Sequence, residues 1–157
     1  MKNKQIALFF LAMLAIFFLT GCTNENQPAA KPETIDSNAF AKKIVEKVEV
    51  IHFHGNQQCA SCIAVGKYAE ETVNKYFAGE LASGKISFAH VNAELPENKE
   101  LAAKYGVTSA SLWIGVYASD GFHKEHNVQV WYKINNEEEY LNYLKGILEK
   151  RLNGDFN

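Results

Sequence analysis

The chain has 157 residues, of which 47% are apolar and 22% charged, with three cysteines and a formal net charge of −2. That is enough chain for one domain with a sizeable core, and too apolar for a disordered polymer. No basic block or stripe is present, which argues against nucleic acid as a partner.

Lys2 and Lys4 precede fourteen unbroken apolar residues, Ile6 to Leu19. As a helix this run rises roughly 21 Å, short of a bilayer core of about 30 Å. A charged start, a short apolar run and small residues after it describe a secretory signal over residues 1–21, with an uncleaved anchor helix as the other reading. Without Lys2 and Lys4, 14 cations face 18 carboxylates, a net charge of −4. Leu19-Thr20-Gly21-Cys22 resembles a bacterial lipobox. The resemblance implies lipidation of Cys22 and a lipid-anchored, extracytoplasmic protein of the bacterial cell envelope. Residues 22–37 hold two of the three prolines with Asn, Glu, Lys and Ala, a composition expected of a flexible tether.

Residues 38–157 form the expected folded domain. Residues 40–47 suit a short helix. Residues 48–54, VEVIHFH, read as a buried strand. Ile63, Gly66, Ala69, Val73 and Tyr76 recur at helical spacing, so a helix is expected over 60–77, with Gly79 and Gly84 bracketing its end. A second strand follows over 86–91, then a helix over 98–105 closed by Gly106, and a third strand over 112–118. Ser119-Asp120-Gly121 reads as a hairpin turn leading to a fourth strand over 128–134. Asn135 or Asn136 caps a last helix, which buries Tyr140, Leu141, Leu144, Ile147 and Leu148. Helices between strands call for parallel pairing, and the hairpin adds antiparallel strands. The expected fold class is α/β, a mixed four-stranded sheet flanked by helices.

Cys59-Ala60-Ser61-Cys62 stands after a strand and opens a helix. Unpaired amides and the dipole of the first turn favour an anion there, so Cys59 is expected to ionise readily. Cys62, one turn on, can attack a mixed disulfide formed at Cys59. Two other readings stay open. A bridge over two intervening residues could merely staple the fold, although so short a loop constrains little. The pair could also be half of a zinc site, although no second pair completes four thiolates.

The strand, the Cys-x-x-Cys at a helix start, and Leu101-Ala102-Ala103-Lys104-Tyr105-Gly106-Val107-Thr108-Ser109 before another strand resemble the thioredoxin-like proteins. The resemblance covers residues 48–152. It implies a thioredoxin-like fold, Cys59 as nucleophile, Cys62 as resolving thiol, and a redox partner protein or disulfide substrate. Three departures stand out. The family's cis-proline position falls on Ser111, which with Ala110 would form the substrate-docking edge. His54-Gly55-Asn56-Gln57-Gln58 replaces the aromatic-rich run before the first Cys, and His52 replaces a buried acidic residue. His52-Phe53-His54-Gly55 with Cys59-Ala60-Ser61-Cys62 also resembles the ArsF-type small subunit associated with reduction of nitrophenyl arsenicals, which implies electron transfer to a partner.

His52 and His54 are two residues apart and so share a strand face. Either could take the proton Cys62 must lose. His90, His123 and His126 have no thiol neighbours in sequence and read as surface residues, while Trp113 and Trp131 read as core. The leading reading is a membrane-anchored thiol–disulfide oxidoreductase that needs no cofactor. The rival is a binding protein in which Cys59, Cys62, His52 and His54 offer sulfur and nitrogen to copper(I) or zinc.

Overall fold

The computed structural model describes residues 43–156. The expected signal segment, Cys22, the tether and residues 40–42 of the expected first helix lie outside the described residues. Four strands form one sheet: β1 (Val45–His54), β2 (Ile86–Asn92), β3 (Ser111–Ala118) and β4 (Gly121–His126). Helices α1 (Ala60–Tyr76), α2 (Ala78–Ala82), α3 (Lys99–Tyr105) and α4 (Glu137–Leu152) connect and cover them. The strand order is β2-β1-β3-β4, with β1 and β2 parallel and the other two pairings antiparallel. This is the expected α/β arrangement, a mixed four-stranded sheet flanked by helices.

Alternation along the strands divides the core in two. Val48 and Val50 of β1 and Leu112, Ile114 and Val116 of β3 pack beneath α1 and α4. Ile51 and Phe53 of β1 point the other way, onto Ala102 and Tyr105 of α3. On that second face Glu49 accepts hydrogen bonds from the Tyr105 and Tyr117 hydroxyls at 2.9 and 3.0 Å and pairs with Lys47 at 2.9 Å. Burial alone would raise its carboxyl pKa, but these bonds outweigh burial and hold it below the ordinary value. Gly115 leaves the space that the Tyr105 hydroxyl occupies, since a Cβ there would strike it.

Helix ends follow local chemistry. Asn136 Oδ1 accepts from the Glu139 amide, and Gly106 closes α3 with φ +80° in the left-handed region. Tyr140 donates to the Val65 carbonyl at 2.7 Å, which fastens α4 to α1 just beyond the cysteine turn. Trp113 and Trp131 are half-buried, packing on the margins of the two cores.

Two sequence expectations are corrected. Residues 45–47 belong to β1 and not to a helix, because β1 runs on to pair Val45 with Ala118 and Lys47 with Tyr117. The fourth strand is 121–126, directly after the turn, and Val128–Tyr132 is a 3-10 helix. Of those apolar side chains only Val130 is fully buried, and Tyr132 is 75% exposed. The true strand is mostly exposed and lacks an apolar alternation. It is held by its ladder to β3 and by Glu125, whose carboxylate takes Arg151 of α4 at 2.6 Å. The five-residue α2, which contains Gly79 and ends just before Gly84, is also additional.

Candidate functional site

The cysteine turn is built from the helix start. Cys59 has an extended backbone (φ −76°, ψ 163°) and is the N-cap of α1. Its Sγ accepts a hydrogen bond from the Cys62 amide at 3.2 Å, and its carbonyl accepts from Ile63 at 3.0 Å. The sulfur thus takes the place that an oxygen holds in ordinary N-caps, facing an orphan amide at the positive end of the dipole. No acidic side chain occupies the first turn to oppose an anion. Cys59 and Cys62 are joined as a disulfide, with Cα atoms 5.1 Å apart. Cys59 is exposed and Cys62 half-buried, so a partner reaches the first sulfur more easily than the second.

The loop before Cys59 is pinned to β2. His54 pairs with Asn92 in the parallel ladder, and the Ala93 amide bonds the His54 carbonyl at 2.8 Å. Glu94 accepts from the Asn56 amide at 3.0 Å, and Asn92 donates to the Asn56 side chain at 2.8 Å. Asn92 and Glu94 therefore position the turn. The sequence reading missed both, because nothing local connects them to the cysteines.

His52, His54 and His90 gather on the α1 face of the sheet. His52 and His54 share β1, and the β1–β2 register sets His90 directly beside His52. The His52 and His54 rings stack at 5.6 Å between centroids, and His52 meets His90 edge-on at 5.2 Å. Gly66 of α1 makes room: a Cβ there would collide with both the His52 and His90 rings. His52 is 1% exposed. Its Nδ1 lies 3.0 Å from His90 Nδ1, and its Nε2 is buried without a hydrogen-bond partner. His90 is exposed on its outer side, where Nε2 lies 3.3 Å from a Glu70 carboxylate oxygen. Its membership of this cluster is what sequence reading missed; the signal was the register of a parallel strand pair. His54 donates from Nδ1 to the Gly55 carbonyl at 2.9 Å. His123 bonds Asp120, and His126 stacks on Trp113, both away from the cysteines.

Burial, then the neighbouring His90 and His54 rings, lower the His52 pKa to about 4, against an upward pull from the Cys62 backbone. His52 is therefore neutral at pH 7.

Two clefts adjoin the cysteine turn. One, of about 330 Å³, is lined by His52, His54, Gln58, Ile63, Glu70 and His90 among others. The other, also about 330 Å³, is lined by His54, Gly55, Gln57, Glu94, Thr108 and Ala110 among others. Ser111 opposes Phe53 in the ladder and is buried, with its hydroxyl donating to Ser109 O at 2.9 Å and accepting from Trp113 Nε1 at 3.0 Å. Ala110, not the Ser111 side chain, meets the second cleft. Among the described residues every peptide bond is trans. Among the same residues no group of three or more His, Cys, Asp or Glu side chains is arranged to hold a metal ion.

No protein-family profile matches the chain, and no curated protein does. Among solved structures, it is similar to the solution structure of a thioredoxin from Thermus thermophilus, at 18% identity and a TM-score of 0.44, covering 66% of this chain and 75% of that one.

The His52 pKa gives a signed expectation. An unfolded chain protonates this ring below about pH 6.5, whereas the folded chain resists down to about pH 4. Stability from the neutral ring is thus intact above pH 6.5 and drains away between pH 6.5 and 4, by on the order of 3 kcal/mol. Urea unfolding at pH 7.5, 5.5 and 4.5 should show His52→Leu losing less stability on acidification than the unaltered chain. Equal acid losses in both would refute the buried neutral ring.

Proposed function

We propose that this chain is a thiol–disulfide oxidoreductase in which Cys59 is the nucleophile and Cys62 the resolving thiol. The observation that carries the reading is the Cys59 sulfur at the α1 N-cap, exposed and bonded by the Cys62 amide. In the reduced protein the same amide and dipole favour a Cys59 thiolate. That thiolate attacks one sulfur of a partner disulfide, forming a Cys59–partner bond and releasing the partner's other sulfur as a thiolate. Cys62 then loses its proton and attacks Cys59. The Cys59–Cys62 bond forms, the Cys59–partner bond breaks, and the second partner sulfur leaves and is protonated. Two electrons pass to the partner, and the reverse sequence oxidises a dithiol by the same bonds. No bound cofactor takes part.

His52 and His54 complete the site. His52 lies beneath the first turns of α1 as a neutral base, and His54 lines both clefts, where a partner chain meets the turn. Ala110, beside His54 in the second cleft, is the docking edge, with Ser111 anchoring it from within. The lipobox-like Leu19-Thr20-Gly21-Cys22 supports a lipid anchor at Cys22 on the outer side of a bacterial membrane. The His-Phe-His-Gly and Cys-Ala-Ser-Cys motifs support a partner-dedicated electron carrier of the ArsF-type small-subunit kind.

Cys62→Ser should accumulate mixed disulfides with partners, seen as mass-shifted, reductant-sensitive adducts, whereas Cys59→Ser should abolish exchange with small disulfides. Faster alkylation of Cys62 than of Cys59 at neutral pH would reverse the two roles. For the anchor, Cys22→Ser should lower recovery in the membrane fraction or block maturation of the precursor. Equal membrane recovery of both forms would remove the lipid assignment.

A further inference from the structure

Three observations on the α1 face form one chain of contacts: the bare His52 Nε2, the 3.0 Å contact between His52 Nδ1 and His90 Nδ1, and the 3.3 Å contact between His90 Nε2 and Glu70. Two imidazoles facing each other through Nδ1 need one donor and one acceptor. Glu70 decides which. A carboxylate accepts only, so His90 must carry its proton on Nε2 and offer a bare Nδ1 inward. His52 then carries its proton on Nδ1 and leaves Nε2 with a free lone pair. The opposite polarity would aim a bare His90 nitrogen at a carboxylate, two acceptors facing each other, which costs free energy.

We propose that His52, His90 and Glu70 form a proton relay from the cysteine turn to solvent, in which Glu70 sets the tautomers and His90 is the outlet. The proposal rests on the oxidoreductase reading, since the proton it carries is the one Cys62 loses. When Cys62 Sγ–H gives its proton to His52 Nε2, the His52 Nδ1 proton passes to His90 Nδ1 and the His90 Nε2 proton passes to Glu70 or the water around it. Each ring gains one proton and loses one, so His52 never stores a charge. That removes an apparent conflict, because a buried ring with its pKa lowered to about 4 is a poor proton store at neutral pH. The charge that develops before His90 releases its Nε2 proton falls on His90, whose side chain is 40% exposed, beside a carboxylate 50% exposed. The groups facing His52 are His54 on its own strand, His90 on β2, and Cys62 and Gly66 on α1, while β3 places Leu112 opposite. Lys67 and Glu70 line the same cleft. Of these, only His90 offers His52 Nδ1 a hydrogen-bond contact.

His90 and Glu70 are positioning residues, and the test needs readouts that simple repacking would not move. In the full-length chain, long-range nitrogen–proton spectra of the histidines should show His52 protonated at Nδ1 and bare at Nε2. Glu70→Leu should erase that preference, and Glu70→Gln, whose carbonyl still accepts from His90, should keep it. Positioned proton transfer is typically worth ~10²–10⁴-fold, so His90→Ala should slow mixed-disulfide resolution by tenfold or more near neutral pH and steepen its rise with pH. In a His52→Ala background, His90→Ala should have no further effect. A His52 ring protonated at Nε2 in the unaltered chain would overturn the relay, as would an undiminished rate in His90→Ala, or a further slowing in the double variant equal to that in the single one. Absence of any exchange by the unaltered chain would instead remove the oxidoreductase reading, and the relay with it.

Discussion

The site depends on one constraint: β1 is bonded along both edges, parallel to β2 and antiparallel to β3. A strand fixed on both sides cannot slip, because a shift of one residue would carry every side chain to the other face. The even-numbered side chains 48 to 54 therefore face α1 and α4, and Glu49, Ile51 and Phe53 face α3. The same strand delivers His52 and His54 to the face that α1 covers and, after the short pinned loop, delivers Cys59 to that helix's first turn. The Tyr140 bond to the Val65 carbonyl then holds α1 in place from above.

Within that frame the two sulfurs are unlike. Cys59 is exposed and stands where the helix favours an anion; Cys62 is half-buried over a face that holds neutral imidazole. The imidazole is costly in stability, since a buried ring nitrogen without a partner forfeits roughly 1–3 kcal/mol of hydration. Gly66 adds to the cost, because Ala is the better helix former by up to about 1 kcal/mol, yet any Cβ there would strike the His52 and His90 rings. A leucine at position 52 would fill such a core without this penalty. The residues at 52, 66 and 90 fit together under α1, and the proposed relay gives that costly arrangement a use.

Elements whose side chains alternate or recur with burial were legible from the sequence. The VEVIHFH run is rich in β-branched residues and buries all but Glu49 and His54, the α1 and α4 stripes recur at helical spacing, and the Gly106 and Asn136 caps are local chemistry. β4 was not legible, because an edge strand of mostly exposed residues owes its form to ladder bonds and to Arg151 reaching Glu125. The apolar residues of 128–134 looked like a strand but form a 3-10 turn that buries only Val130 completely. In the site, the cysteine turn and the shared face of His52 and His54 follow from spacing alone. His90, Asn92 and Glu94 come from β2 and the turn after it, some forty residues away from the groups they touch, so only the strand register reveals them.

The central claim is that Cys59 and Cys62 form a reversible redox couple and not a permanent staple or a ligand pair. The most direct test equilibrates the full-length chain in dithiol–disulfide buffers of graded potential and counts free thiols by alkylation and mass. The account predicts one reversible transition in which both thiols appear and vanish together as a two-electron couple, with the fold retained throughout. A bridge that opens only when the chain unfolds, or a reduced chain isolated with tightly held copper or zinc, would contradict it.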